Sequence, residues 1–198
     1  MPEGVELFSL TADGGATRAG GAAVRDGFLP FIDDGQLARY FIGDRFTSPA
    51  RPSNATYKMG LIRPHSDFTP HAHGGEHFVL SLGYATCGLY DADRDACLHL
   101  AMSPGTLVRI PAMLPHAFGN RSGRPLVILA ANTGYGIDHE DYAITAAESE
   151  RRAADGPQWP ALAKALRALE SSPTPSGLTW SERVAAVLRR LATRLEAR

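Results

Sequence analysis

Between Ala55 and Thr133 the chain alternates short apolar runs with polar breaks. The runs are TYKMGLIRP, EHFVLSL, YATCGLYD, ACLHLA, GTLVRIP, HAFGN and PLVILAAN. The breaks, SDFTP, DADRD, SPG and NRSGRP, are rich in Gly, Pro, Asp and Asn. Runs this short suit strands rather than helices that reach a core. Many of them at this spacing predict an all-β sandwich or barrel. An earlier strand is expected within residues 38–47 (ARYFIGDRFT), and a short one over Val5–Leu10. The remainder of 1–35 is rich in Gly and Ala and reads as an arm.

After Gly136 the pattern changes. Residues 142–154 look helical, and Trp159, Leu162, Leu166 and Leu169 fall at helical spacing. A break, SSPTPSG, precedes a last helix that opens on a capping box, Thr179 with Glu182 three residues on. Val184, Val187, Leu188, Leu191 and Leu195 make one apolar stripe, and Arg183, Arg190, Arg194 and Arg198 lie off it. Such a stripe is expected to pack on the barrel or on a second subunit, with the arginines left in water. The chain therefore divides into an arm (1–35), a barrel (36–136) and a C-terminal helical extension (137–198).

The 198 residues fit one domain, and a net charge of −1 generates no field that would draw nucleic acid or an anionic membrane. No apolar run is long enough to span a bilayer. The opening MPEGVELFSLTADGG does not read as a signal peptide. The two cysteines, Cys87 and Cys97, lie in apolar runs and read as core thiols. They flank a hairpin turn and so could face each other across two strands, but a disulfide is not expected. A cytoplasmic protein with reduced thiols is the expectation.

Six of the seven histidines (His65, His71, His73, His77, His99, His116) fall within 52 residues. In a strand, residues two apart point the same way, so His71 and His73 can aim two imidazoles at one point. Gly74 and Gly75 permit a tight turn. Either Glu76 or His77 can then add a carboxylate or an imidazole from the next strand. Imidazoles with a carboxylate form a common ligand set for a divalent metal.

These residues carry a resemblance to the cupin superfamily. Its first motif is His-x-His, three or four residues, Glu, six residues, Gly. Here Gly83 follows Glu76 at the right interval, whereas the gap from His73 to Glu76 is short; counting forward from His73 places His77 in the slot. The second motif, Gly, five residues, Pro-x-Gly, two residues, His, three residues, Asn, is matched by Gly105, Pro111, His116 and Asn120, with Met113 in place of the inner Gly. The resemblance covers roughly residues 38–134. It implies a double-stranded β-helix (jelly-roll) barrel, followed here by α-helices.

It further implies one divalent metal ion held by His71, His73, His116 and either Glu76 or His77. Fe(II) is favoured, with Zn, Mn or Ni as alternatives. The implied activity is a metal-dependent enzyme acting on a small molecule, first an Fe(II)-dependent dioxygenase. A non-redox isomerase, cyclase or lyase using the metal as Lewis acid is the second reading, and a non-catalytic ligand-binding or regulatory cupin the third. His65 is a candidate acid/base group. Arg63 and Tyr57, together with Lys58 and Tyr90, are candidates to orient an anionic or hydroxylated substrate. Met59, Leu61, Phe78, Leu80, Leu107, Phe118 and Ile128 are candidates for a dry lining. The cluster 138–142 (DHEDY) is expected to start a helix. The analogy also implies a homodimer, with no nucleic-acid or membrane partner.

Overall fold

A computed structural model describes residues 8–10, 16–18, 29–30, 36–42, 55–133 and 143–196, except 173 and 176. In chain order the strands are β1 (Phe8–Leu10), β2 (Ala16–Arg18), β3 (Leu29–Pro30), β4 (Gln36–Ile42), β5 (Ala55–Ile62), β6 (His71–Ala72), β7 (Glu76–Ser81) and β8 (Ala85–Asp91). Then come β9 (Ala96–Met102), β10 (Leu107–Ile110), β11 (His116–Asn120), β12 (Leu126–Thr133) and β13 (Ile144–Thr145). The helices are α1 (Ala146–Arg151), α2 (Gln158–Ser171) and α3 (Trp180–Glu196). Each apolar run named above became one of the strands from β5 onward. The short strands β6 and β13 had no such signal, and the 138–142 cluster lies outside the described residues.

Two antiparallel sheets form the barrel. One has the order β10-β7-β12-β5-β4-β3 and the other β13-β6-β11-β8-β9. Apart from β3-β4-β5 and β8-β9, neighbours in the sheets are not neighbours in sequence, as expected of a jelly roll. The sheets pack face to face over one core, in which Ile62, Val79 and Ile128 from the first meet Cys87, Met102 and Phe118 from the second. The architecture is the cupin double-stranded β-helix, all-β with C-terminal α-helices.

The helices are tied to the barrel in two different ways. The strand β13 pairs with β6 and leads into α1, whose N-terminus is capped by Thr145. Trp159, Leu162 and Leu166 of α2 pack with Ala72 of β6 and with Ile144 and Ala146, and Leu169 packs beside Tyr90. Met113 joins the first of these clusters. Its backbone has φ of 63°, a left-handed conformation that explains why the motif has glycine there. The cost of that conformation in a methionine, about 1 kcal/mol or more, is offset by the side chain's contact with α2.

The last helix departs from expectation. Its capping box forms as read, with Glu182 N–H donating to Thr179 Oγ1 at 3.3 Å and Thr179 N–H to Glu182 Oε2 at 2.8 Å. The side that meets the barrel, however, is polar. Arg121 at the end of β11 forms a bidentate pair with Glu182, both distances 2.8 Å, and Arg189 bonds and lies over Tyr84. The apolar stripe therefore does not pack on the barrel; Trp180, Leu188 and Leu195 are 80%, 60% and 73% exposed. The cysteines also differ from the facing arrangement. Cys87 pairs in register with Leu100 and Cys97 with Tyr90, so they sit apart on the ladder, and both thiols are free.

Candidate metal centre

The first candidate ligand pair is set by sheet pairing. His71 on β6 stands directly opposite His116 on β11, and directly opposed residues share a face. Their ring centroids are 4.7 Å apart. His73 follows in the tight turn, where its carbonyl accepts a 2.8 Å hydrogen bond from Met113 N–H. That bond locks the turn after β6 to the loop before β11, so both motifs are held at one end of the barrel. The candidate ligand nitrogens of His71, His73 and His116 all lie within 4.8 Å of one another. An ion with metal–nitrogen distances of about 2.1 Å needs only small ring rotations to be reached by all three.

The next position is decided by the pleat of β7. Exposure alternates along Glu76–Ser81, with His77, Val79 and Ser81 buried. His77 therefore faces the other imidazoles. Its ring stacks on His73 at 4.5 Å and lies 5.0 Å from His116. Glu76 faces the opposite way, 38% exposed, and pairs with Arg109 on β10. The geometry gathers three histidines within metal-ligand reach, sets His77 beside them and turns the carboxylate out.

The hydrogen bonding prepares these rings as ligands. His71 Nδ1–H donates to the Thr69 carbonyl at 2.6 Å, and His116 Nδ1–H to the Leu114 carbonyl at 2.9 Å. Each bond fixes the tautomer and leaves Nε2 with its lone pair. Nε2 of His73, Nε2 of His116 and Nδ1 of His77 are buried with no hydrogen bond. Buried polar atoms are normally satisfied, and His73 and His116 belong to the group of three histidines whose candidate ligand nitrogens converge, which fits a metal ion. Burial holds all four imidazoles neutral: His71, His73 and His77 fall well below the ordinary imidazole value and His116 falls to about 4. Neutral rings are the form that binds metal.

A cavity of about 20 Å³ adjoins the histidines, lined by Lys58, Phe68, His71, His77, Phe118 and Ile128. It has room for about one water. The Lys58 side chain is buried, 4% exposed, with its ammonium 5.6 Å from the Tyr40 ring centroid. Tyr57 is its neighbour on β5 and points to the outer face, 38% exposed. Arg63 and His65 are exposed on the connection after β5, where His65 N–H donates to the Ser122 carbonyl. None of these three lines the cavity. Of the lining candidates, Phe118 and Ile128 do; Met59, Leu61, Phe78, Leu80 and Leu107 occupy the other face of the first sheet.

One contributor lay outside the sequence reading. Asn132 on β12 is fully buried and stands directly opposite His77 in the ladder. Only the register between β12 and β7 reveals it.

No protein-family model matches the chain, and no curated protein matches it. Solved structures do. An oxalate oxidase structure is 12% identical, with a TM-score of 0.46, covering 56% of this chain and 54% of that one. A cupin superfamily protein from Desulfitobacterium hafniense DCB-2 is 12% identical with a TM-score of 0.40, covering 54% of this chain and 84% of that one. A cupin domain from Bordetella pertussis Tohama I is 12% identical with a TM-score of 0.40, covering 54% of this chain and all of that one. Scores this low carry no argument about chemistry. The fold stands on strand order and the two motifs.

Proposed function

We propose that this protein is a metal-dependent enzyme acting on a small molecule, with one divalent ion held by His71, His73, His77 and His116. Fe(II) is the favoured ion and oxygenation the favoured reaction class. The observation that carries the metal reading is the convergence of three buried imidazoles, His71, His73 and His116, whose candidate ligand nitrogens lie within 4.8 Å of one another, with His77 stacked on His73 beside them. His77 takes the place that Glu76 could have filled.

When bound, the ion supplies the redox and Lewis-acid chemistry. The protein supplies the rest. The Thr69 and Leu114 carbonyls hold two rings in the binding tautomer. Phe68 and Phe118 keep the cavity dry, which strengthens every charge interaction inside it. Lys58, a cation on the wall beside the histidines, suits a substrate with an anionic group. A space of about 20 Å³ holds no organic substrate, so substrate entry requires the wall to move.

The test has two stages. Purified protein is titrated anaerobically with Fe(II), Mn(II), Ni(II) and Zn(II), reading bound metal and thermal midpoint. At least one ion is expected to bind at one per chain and raise the midpoint. Replacing His77 with Ala should lower that affinity tenfold or more, in the range seen when ligand support is lost, while Glu76→Gln leaves it unchanged. The reverse pattern would overturn the ligand set, and no stabilisation by any ion would overturn the site. Oxygen uptake with a panel of small carboxylates and enolisable diketones then tests oxygenation. Turnover without oxygen consumption would assign Lewis-acid chemistry instead.

A further inference from the structure

The helix α3 is mounted back to front. An amphipathic helix ordinarily buries its apolar stripe against its own domain. Here Glu182 and Arg189, seven residues apart and hence on one side of the helix, grip the barrel through Arg121 and Tyr84. Arg121 is itself buried, so this grip is built rather than incidental. Trp180, Val184, Val187, Leu188, Leu191 and Leu195 lie on the opposite side and are all exposed. From Arg190 to Glu196 every residue is exposed, so the last two turns stand off the barrel.

We propose that this outward stripe is a self-association surface, on which α3 of a second copy lies antiparallel across a two-fold axis. Three observations carry it. The stripe is symmetric about the point between Val187 and Leu188. An antiparallel partner therefore sets Trp180 against Leu195, Val184 against Leu191, and Val187 against Leu188, with every apolar position met. A two-fold interface needs that self-complementarity. The six side chains expose on the order of 600 Å² of apolar surface per chain, so a pair covers about 1,200 Å², the lower end of stable interfaces. The polar grip also places each barrel on the far side of its own helix, away from the seam.

Arg183, Arg190 and Arg194 flank one edge of the stripe, and an antiparallel two-fold pair brings like edges together. Added salt should therefore tighten the pair. An anionic membrane, the other surface suited to such a helix, would be released by salt.

Sedimentation of the full chain across concentration and salt tests the idea. The wild type should be a dimer that salt strengthens, and Leu188→Glu with Leu191→Glu should weaken it roughly a hundredfold. Both positions are exposed, so the thermal midpoint of the variant monomer is the control for folding. Spin labels on Ser181→Cys, in a Cys97→Ser background, should show an axial separation of roughly 20 Å across an antiparallel pair. A label at Leu188→Cys should instead sit near the axis. Equal short distances at both sites would mean a parallel pair and overturn the arrangement. A wild type that stays monomeric, a dimer indifferent to the glutamates, or salt-sensitive binding to phosphatidylserine vesicles without a dimer would overturn the proposal.

Discussion

Asn120 closes the second motif, and its contacts show that it holds backbone rather than ligand. Its Nδ2 faces three carbonyl oxygens, of Arg124 at 2.6 Å, Arg63 at 3.0 Å and Ile62 at 3.2 Å. Its Oδ1 accepts from Ser122 N–H at 2.8 Å and Ser122 Oγ at 2.9 Å. One side chain thus joins the end of β5, the end of β11 and the turn into β12. In Asn120→Ala the Ile62 carbonyl, in a fully buried residue, loses its side-chain donor, at a cost of about 1–3 kcal/mol. The Arg63 and Arg124 carbonyls sit in exposed turns and regain water, so each lost bond costs nearer 0.5 kcal/mol. The sum is about 3 kcal/mol, or a midpoint lowered by on the order of 10 °C. Asn120→Asp is the sharper arm. It keeps the acceptor toward Ser122 but turns an oxygen toward three carbonyls, so above pH 5 it should be no more stable than the alanine variant. Urea unfolding of the three proteins gives both differences. An Asp variant within about 1 kcal/mol of wild type would refute the assignment of Asn120 as a donor hub.

Three further outcomes follow from the same structure. Burial pushes the Glu182 carboxyl up, but its hydrogen bonds from Thr179 and Arg121 outweigh that and hold it below its ordinary 4.5. A carboxyl depressed on folding stabilises above its unfolded value, and that contribution is lost as pH falls through the depressed one. Amide shifts of α3 should therefore titrate together below pH 4.5, and an inflection above it would contradict the pairing. At Gly119 an added methyl would lie 2.8 Å from Thr174 Cγ2 and closer still to Asp67 Oδ1. Gly119→Ala should thus cost roughly 2 kcal/mol in urea unfolding, and a neutral result would mean that the 67–119 contact is dispensable. Burial raises the Cys87 thiol to about 12. Iodoacetamide at pH 8 should leave Cys87 unmodified in the native protein and label it only on unfolding; mass mapping of native, briefly treated protein decides.

The sequence by itself determined the barrel strands and the residues that could meet at a metal. Period-two runs between turn signals fixed β5 and β7–β12, because local pattern and final structure agree there. The spacing of His71, His73 and His116 in two motifs was legible because motif spacing is a property of the chain. The choice between Glu76 and His77 was not. In the run EHFVLS both phases are partly apolar, Phe78 and Leu80 with Glu76, Val79 with His77, so hydrophobicity names no inner face. Pairing with β10 and β12 set which of the two side chains faces inward and placed Asn132 opposite His77, and the pairing of β5 with β12 turned Lys58 inward and Tyr57 outward. The stripe on α3 was equally visible in sequence, yet its direction depended on Arg121 and Glu182, 61 residues apart. Periodicity tells which residues share a side of an element. What that side faces is settled by contacts between distant parts of the chain, and only the tertiary structure contains them.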